Sequence, residues 1–224
     1  MDFTDKSLPT AASGTAVQEK VYTVPYEAPR GGVCFRFIKR LFDIIFSIVA
    51  GILTFPALLI IALLIKLDSP GKVLYIQERV GKNGKPFKML KFRTMVENAE
   101  NGKPVWADQN DPRCTRLGKK LRECRLDELP QIYNILQGQM SLVGPRPERQ
   151  CFYDEFEEYI HGFKNRLAVK PGLTGLAQVN GGYDLLPEEK IVYDMRYIKH
   201  RTLWLDLKII FKTVRVIFKK EGAK

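Results

Sequence analysis

Ile44-Ile-Phe-Ser-Ile-Val-Ala-Gly-Ile-Leu-Thr-Phe-Pro-Ala-Leu-Leu-Ile-Ile-Ala-Leu-Leu-Ile65 runs for 22 residues without a charge, and almost nothing in it is polar except Ser47 and Thr54. A straight helix of that length reaches about 33 Å, enough to span a bilayer. The run exceeds the ~18 uncharged apolar residues that separate membrane helices from buried soluble ones, so it belongs in a membrane. Pro56 sits near its middle, where it removes one backbone hydrogen bond and crowds the preceding turn. The halves on either side, about 12 and 10 residues, each extend only ~15–18 Å, half the hydrocarbon thickness. Arg36, Lys39 and Arg40 flank the run on one side, Lys66 and Lys72 on the other. By the positive-inside rule both ends then lie on the cytoplasmic side. The expectation is a re-entrant helix over 36–68 that enters, breaks at Pro56 and returns, with Lys39, Arg40 and Pro56 fixing its place in the membrane. A kinked helix that crosses once is the competing reading, because prolines are tolerated in spanning helices.

Residues 1–35 lie upstream. They are rich in Ser, Thr, Ala, Gly and Pro and show no periodicity, which predicts a mobile tail. Asp2 and Asp5 precede any basic cluster and no early apolar core follows, so the tail does not read as a signal peptide. Residues 69–224 read as one catalytic domain. Val73–Val80 and Pro86–Met95 predict strands of a hairpin around Gly81-Lys-Asn-Gly-Lys85, with Asn-Gly as the turn. Residues 97–113 predict a loop. Helices are expected over Asp127–Leu136, ended by Gly138, over Cys151–Phe163 and around Glu188–Ile198, with a Gly-rich connection over 170–182. Leu203–Lys220 is amphipathic. Leu203, Leu207, Ile210, Phe211, Val214, Ile217 and Phe218 share one side, opposite Lys208, Lys212, Arg215 and Lys219. That pattern suits packing on the domain and lying on anionic lipid equally. The fold class expected is helix-rich α+β.

The chain has 224 residues and a formal net charge of +11, so it calls for an anionic partner without choosing among nucleic acid, lipid and nucleotide diphosphate. Its four cysteines fall at no zinc spacing, and two histidines, His161 and His200, leave little material for a Ser-His-Asp or Cys-His system. There is no Gly-x-x-x-x-Gly-Lys-[Ser/Thr] phosphate loop.

The chemistry concentrates in Leu121-Arg-Glu-Cys-Arg-Leu-Asp-Glu-Leu-Pro-Gln131 and Gly144-Pro-Arg-Pro147. Asp127 and Glu128 could do no more than cap a helix. Lys119, Lys120, Arg122 and Arg125 crowd the approach, however, and Arg146 sits in a turn between two prolines. Arginine's fork binds phosphate oxygens bidentately, and an aspartate can attack phosphorus once cations neutralise the phosphates. Mg²⁺ suits a site of one or two carboxylates plus substrate phosphate. The basic hairpin face, Lys82, Lys85, Lys88, Lys91 and Arg93, would meet phosphates or lipid head groups.

Eight segments occur in an order that resembles the monotopic phosphoglycosyl transferases of the bacterial sugar transferase family. They are Lys39-Arg-Leu-Phe-Asp43, Gln77-Glu-Arg-Val-Gly81, Lys91-Phe-Arg-Thr-Met95, Leu126-Asp-Glu-Leu-Pro-Gln131, Met140-Ser-Leu-Val-Gly-Pro-Arg-Pro147, Pro171-Gly-Leu-Thr-Gly175, Gln178-Val-Asn-Gly181 and Leu203-Trp-Leu-Asp-Leu-Lys208. The resemblance implies that Asp127 attacks the sugar-linked phosphate of a UDP-sugar, releases UMP, and passes the phosphosugar to undecaprenyl phosphate. It implies Glu128 as the Mg²⁺ ligand, and Arg122, Arg146, Pro147, Lys91, Arg93, Gln178 and Asn180 as substrate-binding residues. It also implies a helix re-entering the phospholipid membrane from the cytoplasmic face, a role in starting surface glycan assembly, and no nucleic-acid partner; a homo-oligomer is compatible with it. Two departures stand out: Phe55 precedes Pro56 where many members have serine, and Gly182 follows Gln-Val-Asn-Gly where some have arginine. The rival classes are a transferase that moves only the sugar and releases UDP, and a non-enzymatic basic adaptor on the membrane.

Overall fold

The computed structural model of the chain describes residues 21–97, 99, 111–181 and 185–219, with side chains as far as Val216. Most of the expected 97–113 loop lies outside these residues, as do Gly182, residues 1–20 and the side chains of Ile217 and Phe218.

Residues 21–32, expected as part of a mobile tail, are docked. Tyr22–Thr23 (β1) pairs in parallel with Ile160–His161 (β5), and Val24 is buried. The Val24 amide donates to the His161 carbonyl at 2.8 Å, and Lys199 meets Glu27 at 2.7 Å. Backbone pairing and one apolar anchor hold a segment whose polar composition gives no such signal.

The apolar run lies inside one 36-residue helix, α1 (Val33–Asp68), which begins earlier than expected and is unbroken through Pro56. Its surface is inverted relative to a soluble helix. Asp43 and Ser47 are buried, whereas Phe37, Ile45, Ile52, Leu53, Phe55, Leu59 and Leu63 are exposed. An apolar patch of this kind marks contact with something other than water, and α1 is long and apolar enough to cross a membrane. No serine precedes Pro56, but the Thr54 hydroxyl donates to the Ala50 carbonyl at 2.7 Å, a back-bond that favours helix bending.

Both halves of α1 are fastened to the same domain. Near the start, Lys39 pairs with Asp206 at 2.6 Å. Arg40 donates to the carbonyls of Ile135 and Leu136, and Asp43 accepts from Ser141 Oγ and the Leu142 amide, both at 3.1 Å. Near the end, Ile61 and Ile65 pack with Phe92 and Leu121.

The expected hairpin forms, with its second strand ending at Phe92 rather than Met95: Leu74–Val80 (β2) pairs antiparallel with Pro86–Phe92 (β3), and Asn83 and Gly84 take the left-handed conformations that an Asn-Gly turn needs. Arg116–Glu123 (α2), capped by the Thr115 hydroxyl, was not anticipated. The expected Asp127–Leu136 helix is a 3-10 turn, Leu126–Glu128, followed by Gln131–Leu136 (α3); Gly138 ends it with φ +80°. Ser141–Val143 (β4) pairs in parallel with Gly172–Thr174 (β6), a strand inside the supposed Gly-rich connection. Gln150–Tyr159 (α4) stops short of Phe163 because the chain turns into β5. Pro187–His200 (α5) and Leu203–Lys219 (α6) complete the helix-rich α+β order. The core gathers Ile135, Met140, Val143, Tyr153, Phe163, Ile191, Ile198 and Ile209 around the β4–β6 pair. On α6 the expected apolar face divides: Leu203, Leu207 and Ile210 are half-buried, Ile210 against the core, while Phe211 and Val214 are exposed; the buried apolar residue of the helix, Ile209, lies outside that face.

Gly118 of α2 lies so close to Thr94 that a Cβ there would overlap the Thr94 carbonyl. Gly118→Ala is therefore expected to destabilise the chain by about 1–3 kcal/mol, read as a fall in the thermal midpoint in detergent. An unchanged midpoint would mean that α2 is free to move away from Thr94.

Candidate active site

Asp127 and Glu128 come to one place because the chain reverses sharply after α2. Arg125 turns it with φ 55°, a left-handed conformation uncommon outside glycine, and the 3-10 turn then aims both carboxylates inward. Asp127 is 7% and Glu128 6% exposed. Two adjacent carboxylates hidden from water repel each other, so the surroundings must supply positive charge.

Three elements do so. Arg146, in the loop after β4, pairs with Glu128 Oε1 through Nη2 at 2.5 Å, and Lys91 of β3 reaches the same oxygen at 3.3 Å. Arg122 of α2 lies close enough for its charge to act on Asp127, with its Nε donating to the Thr94 hydroxyl at 3.0 Å. The pair is unequal. Burial pushes Glu128 upward, but the charges of Arg146 and Lys91 prevail and hold its carboxyl well below the usual range. Asp127 receives no hydrogen bond or ion pair from the described residues. Burial and then the Glu128 charge raise it to about 6, against the opposing pull of Lys91, Arg122 and Arg146. The division is the one expected where neighbouring groups take different chemical roles.

No group of three or more His, Cys, Asp and Glu among the described residues could cage a metal. The donor set fits a cation that takes one or two carboxylates and fills its shell with water and phosphate, as Mg²⁺ does. Glu128 Oε2 has only a 3.4 Å contact to Arg146 and keeps acceptor capacity.

Behind the pair, ion pairs hold the Arg146 loop. Arg79 of β2 donates to the Pro147 carbonyl at 3.1 Å and to Glu148 at 2.9 Å. Arg166, buried and paired with buried Asp194 at 2.6 Å, donates to the Arg146 carbonyl at 3.0 Å. Asn134 of α3 accepts from the Leu90 amide and donates to the Lys88 carbonyl, so it positions the strand that carries Lys91. None of these was singled out from sequence; Arg79 lies inside a motif quoted above, but its partner is far along the chain.

Of the residues expected to bind substrate, the structure brings Lys91, Arg122 and Arg146 to the carboxylates. Pro147 braces the loop through its carbonyl. Arg93 is engaged elsewhere, on Ser69 and the Pro70 carbonyl at the end of α1. The Gln178 amide donates to the Leu173 carbonyl, and Asn180 bridges the Leu176 carbonyl and Lys212 of α6. No contact among the described residues links either to Asp127 or Glu128. Lys39 and Arg40, expected at the membrane, spend their bonds on Asp206 and the end of α3.

A family model described as bacterial sugar transferase matches residues 34–220, nearly the whole described structure. The chain belongs to the bacterial sugar transferase family. Among its family relatives, an Aeromonas hydrophila protein named UDP-N-acetylgalactosamine-undecaprenyl-phosphate N-acetylgalactosaminephosphotransferase is 46% identical over 193 residues, covering 85% of this chain and 46% of that protein. The UDP-glucose:undecaprenyl-phosphate glucose-1-phosphate transferase of Escherichia coli K12 is 45% identical over 204 residues, 88% of this chain and 44% of its own length. The undecaprenyl-phosphate galactose phosphotransferase of Salmonella typhimurium is 39% identical over 203 residues, 84% of this chain and 42% of its own. The chain thus spans less than half the length of these family members, and their names carry three different sugars.

The raised Asp127 carboxyl gives a stability test. A carboxyl raised in the folded state destabilises folding when ionised; the penalty is absent below its ordinary value near 4, grows until about 6, and is full above. Asp127→Asn should raise stability at pH 8 by up to about 3 kcal/mol, with the gain shrinking towards pH 4. Denaturation of both proteins across that range checks this; a pH-independent difference would contradict it.

Proposed function

We propose that the chain transfers a sugar-1-phosphate from a UDP-sugar to undecaprenyl phosphate through an aspartyl phosphosugar, releasing UMP and starting surface glycan assembly. The observation that carries this reading is the asymmetry of the buried pair: Glu128 is clamped by Arg146 and Lys91, whereas Asp127 receives no such bond from the described residues and is held among cations. An unclamped carboxylate is available as a nucleophile, and the clamped one is not.

In the first step an Asp127 oxygen attacks the sugar-linked phosphorus. The bond from that phosphorus to the bridging oxygen breaks, and its electron pair leaves with UMP. Lys91, Arg122 and Arg146 offset the phosphate charge that would otherwise repel the carboxylate. In the second step an oxygen of undecaprenyl phosphate attacks the same phosphorus, and the Asp127 carboxylate is restored. Glu128, with Asp127 beside it, would hold Mg²⁺, which supplies further charge neutralisation on the phosphates.

The attachment of α1 supports a monotopic placement. Lys39, Arg40 and Asp43 near one end, and Ile61 and Ile65 near the other, fasten to one domain. A single crossing would carry one set of contacts to the far side of the bilayer, so the geometry favours both ends on the domain's side. The basic flanks favour the cytoplasm of a bacterium as that side. The exposed Trp204, Phe211 and Val214 of α6, beside Lys208 and Arg215, suit contact with the same lipid surface.

The test is nucleotide release from detergent-purified protein with Mg²⁺, undecaprenyl phosphate and a panel of UDP-sugars. UMP is expected with the correct donor, falling by at least about 10³-fold in Asp127→Asn. UDP in its place, or full activity in Asp127→Asn, would overturn the reading. Arg146→Lys keeps the charge but loses the fork, and kcat should fall by roughly 10²-fold; an unchanged kcat would exclude Arg146 from holding the reacting phosphates.

A further inference from the structure

Segments distant in sequence bring cations together beside the first turns of α1. Arg40 Nη2 and Lys170 Nζ each lie 3.3 Å from the point that a Cβ on Gly138 would occupy. Gly138 has φ +80° and no side chain, so both cations can come close to its Cα. Asp43 opposes the Arg40 charge on Lys170, and Lys82 and Lys39 add weaker like charge.

Most of these groups are already used. Lys39 is paired with Asp206, Asp43 is bonded to Ser141 and Leu142, and Arg40 donates to two carbonyls. Lys170 is different: it is half-buried and makes no hydrogen bond or ion pair with a described residue. Burial first, then the Arg40 charge, push its ammonium below the usual lysine range. A desolvated ammonium held against a guanidinium is unfavourable unless an anion relieves it. Phe37 and Leu41, on α1 beside Arg40, and Leu136, next to Gly138 in space and near it in sequence, are exposed. Cations at the rim of a lipid-facing apolar surface sit at the depth of phosphate head groups.

We propose that Arg40 and Lys170 form a binding site for the head-group phosphate of an anionic membrane phospholipid, separate from the Asp127–Glu128 site at the other end of α3. The proposal rests on the reading of α1 as membrane-embedded. A bound lipid here would pin the start of α1 and the end of α3 at one depth in the bilayer.

The test uses the full chain, wild type and Lys170→Ala, with vesicles of phosphatidylcholine alone or mixed with phosphatidylglycerol. Thermal midpoints are compared first; if that variant is unfolded, Lys170→Gln is used in its place. Wild type should bind the phosphatidylglycerol vesicles more tightly than the neutral ones, and the variant should lose about fivefold or more of that preference while binding neutral vesicles equally well. Sugar-phosphate transfer in neutral detergent should stay within about twofold, because Lys170 does not touch the carboxylate pair. An undiminished preference in the variant would overturn the lipid site. So would displacement of the lipid by inorganic phosphate at equal concentration, which would mean a site for free phosphate. Failure of wild type to bind either vesicle would instead refute the membrane reading on which the site depends.

Discussion

Asp127 and Glu128 are neighbours in sequence, and both are hidden from water. Two carboxylates so placed cannot both ionise without compensating charge, and each of the three nearby cations comes from a different element. Lys91 arrives on β3, Arg122 on α2 and Arg146 on the loop after β4. Much of the remaining polar structure keeps those three in place. Asn134 ties α3 to β3, Thr94 holds Arg122, and the Arg79–Glu148 and Arg166–Asp194 pairs fix the Arg146 loop. Because Arg146 and Lys91 both settle on Glu128, Asp127 is left without such a partner among the described residues.

The long apolar helix α1 belongs to this arrangement and is no detached segment. Asp43 binds the start of β4, the strand that leads into the Arg146 loop, and Arg40 caps α3, which begins just after the carboxylate pair. Arg93 ties the end of α1 to the strand carrying Lys91. The long apolar helix therefore also positions the groups around the carboxylates.

Features set by local sequence were legible in advance. The apolar run dictated α1, Asn83-Gly84 dictated the hairpin turn, and the carboxylates amid basic residues pointed to the site. Features set by distant contacts were not. β1, β4, β5 and β6 are pairs of two or three residues joined in parallel across long separations, and such short strands leave no alternation to read. The stretch 21–32 looked like a tail because one buried valine and a few backbone bonds are invisible in composition. Arg93 was grouped with Lys91 in the basic cluster of the hairpin and in the motif they share. β3 ends at Phe92, however, and Arg93 is free to swing to Ser69 and Pro70. The partners of Arg79 and Arg166 could not be guessed, because a buried ion pair is defined by geometry that only the fold supplies.

The most direct test of the central claim is the location of the covalent phosphosugar. The protein would be incubated with its donor sugar nucleotide and no acceptor lipid, acid-quenched, digested, and the modified peptide sequenced by mass spectrometry. The account predicts one added sugar-phosphate per chain, carried on Asp127 and discharged when undecaprenyl phosphate is supplied. An adduct on Glu128, or turnover with no adduct at any time, would contradict it.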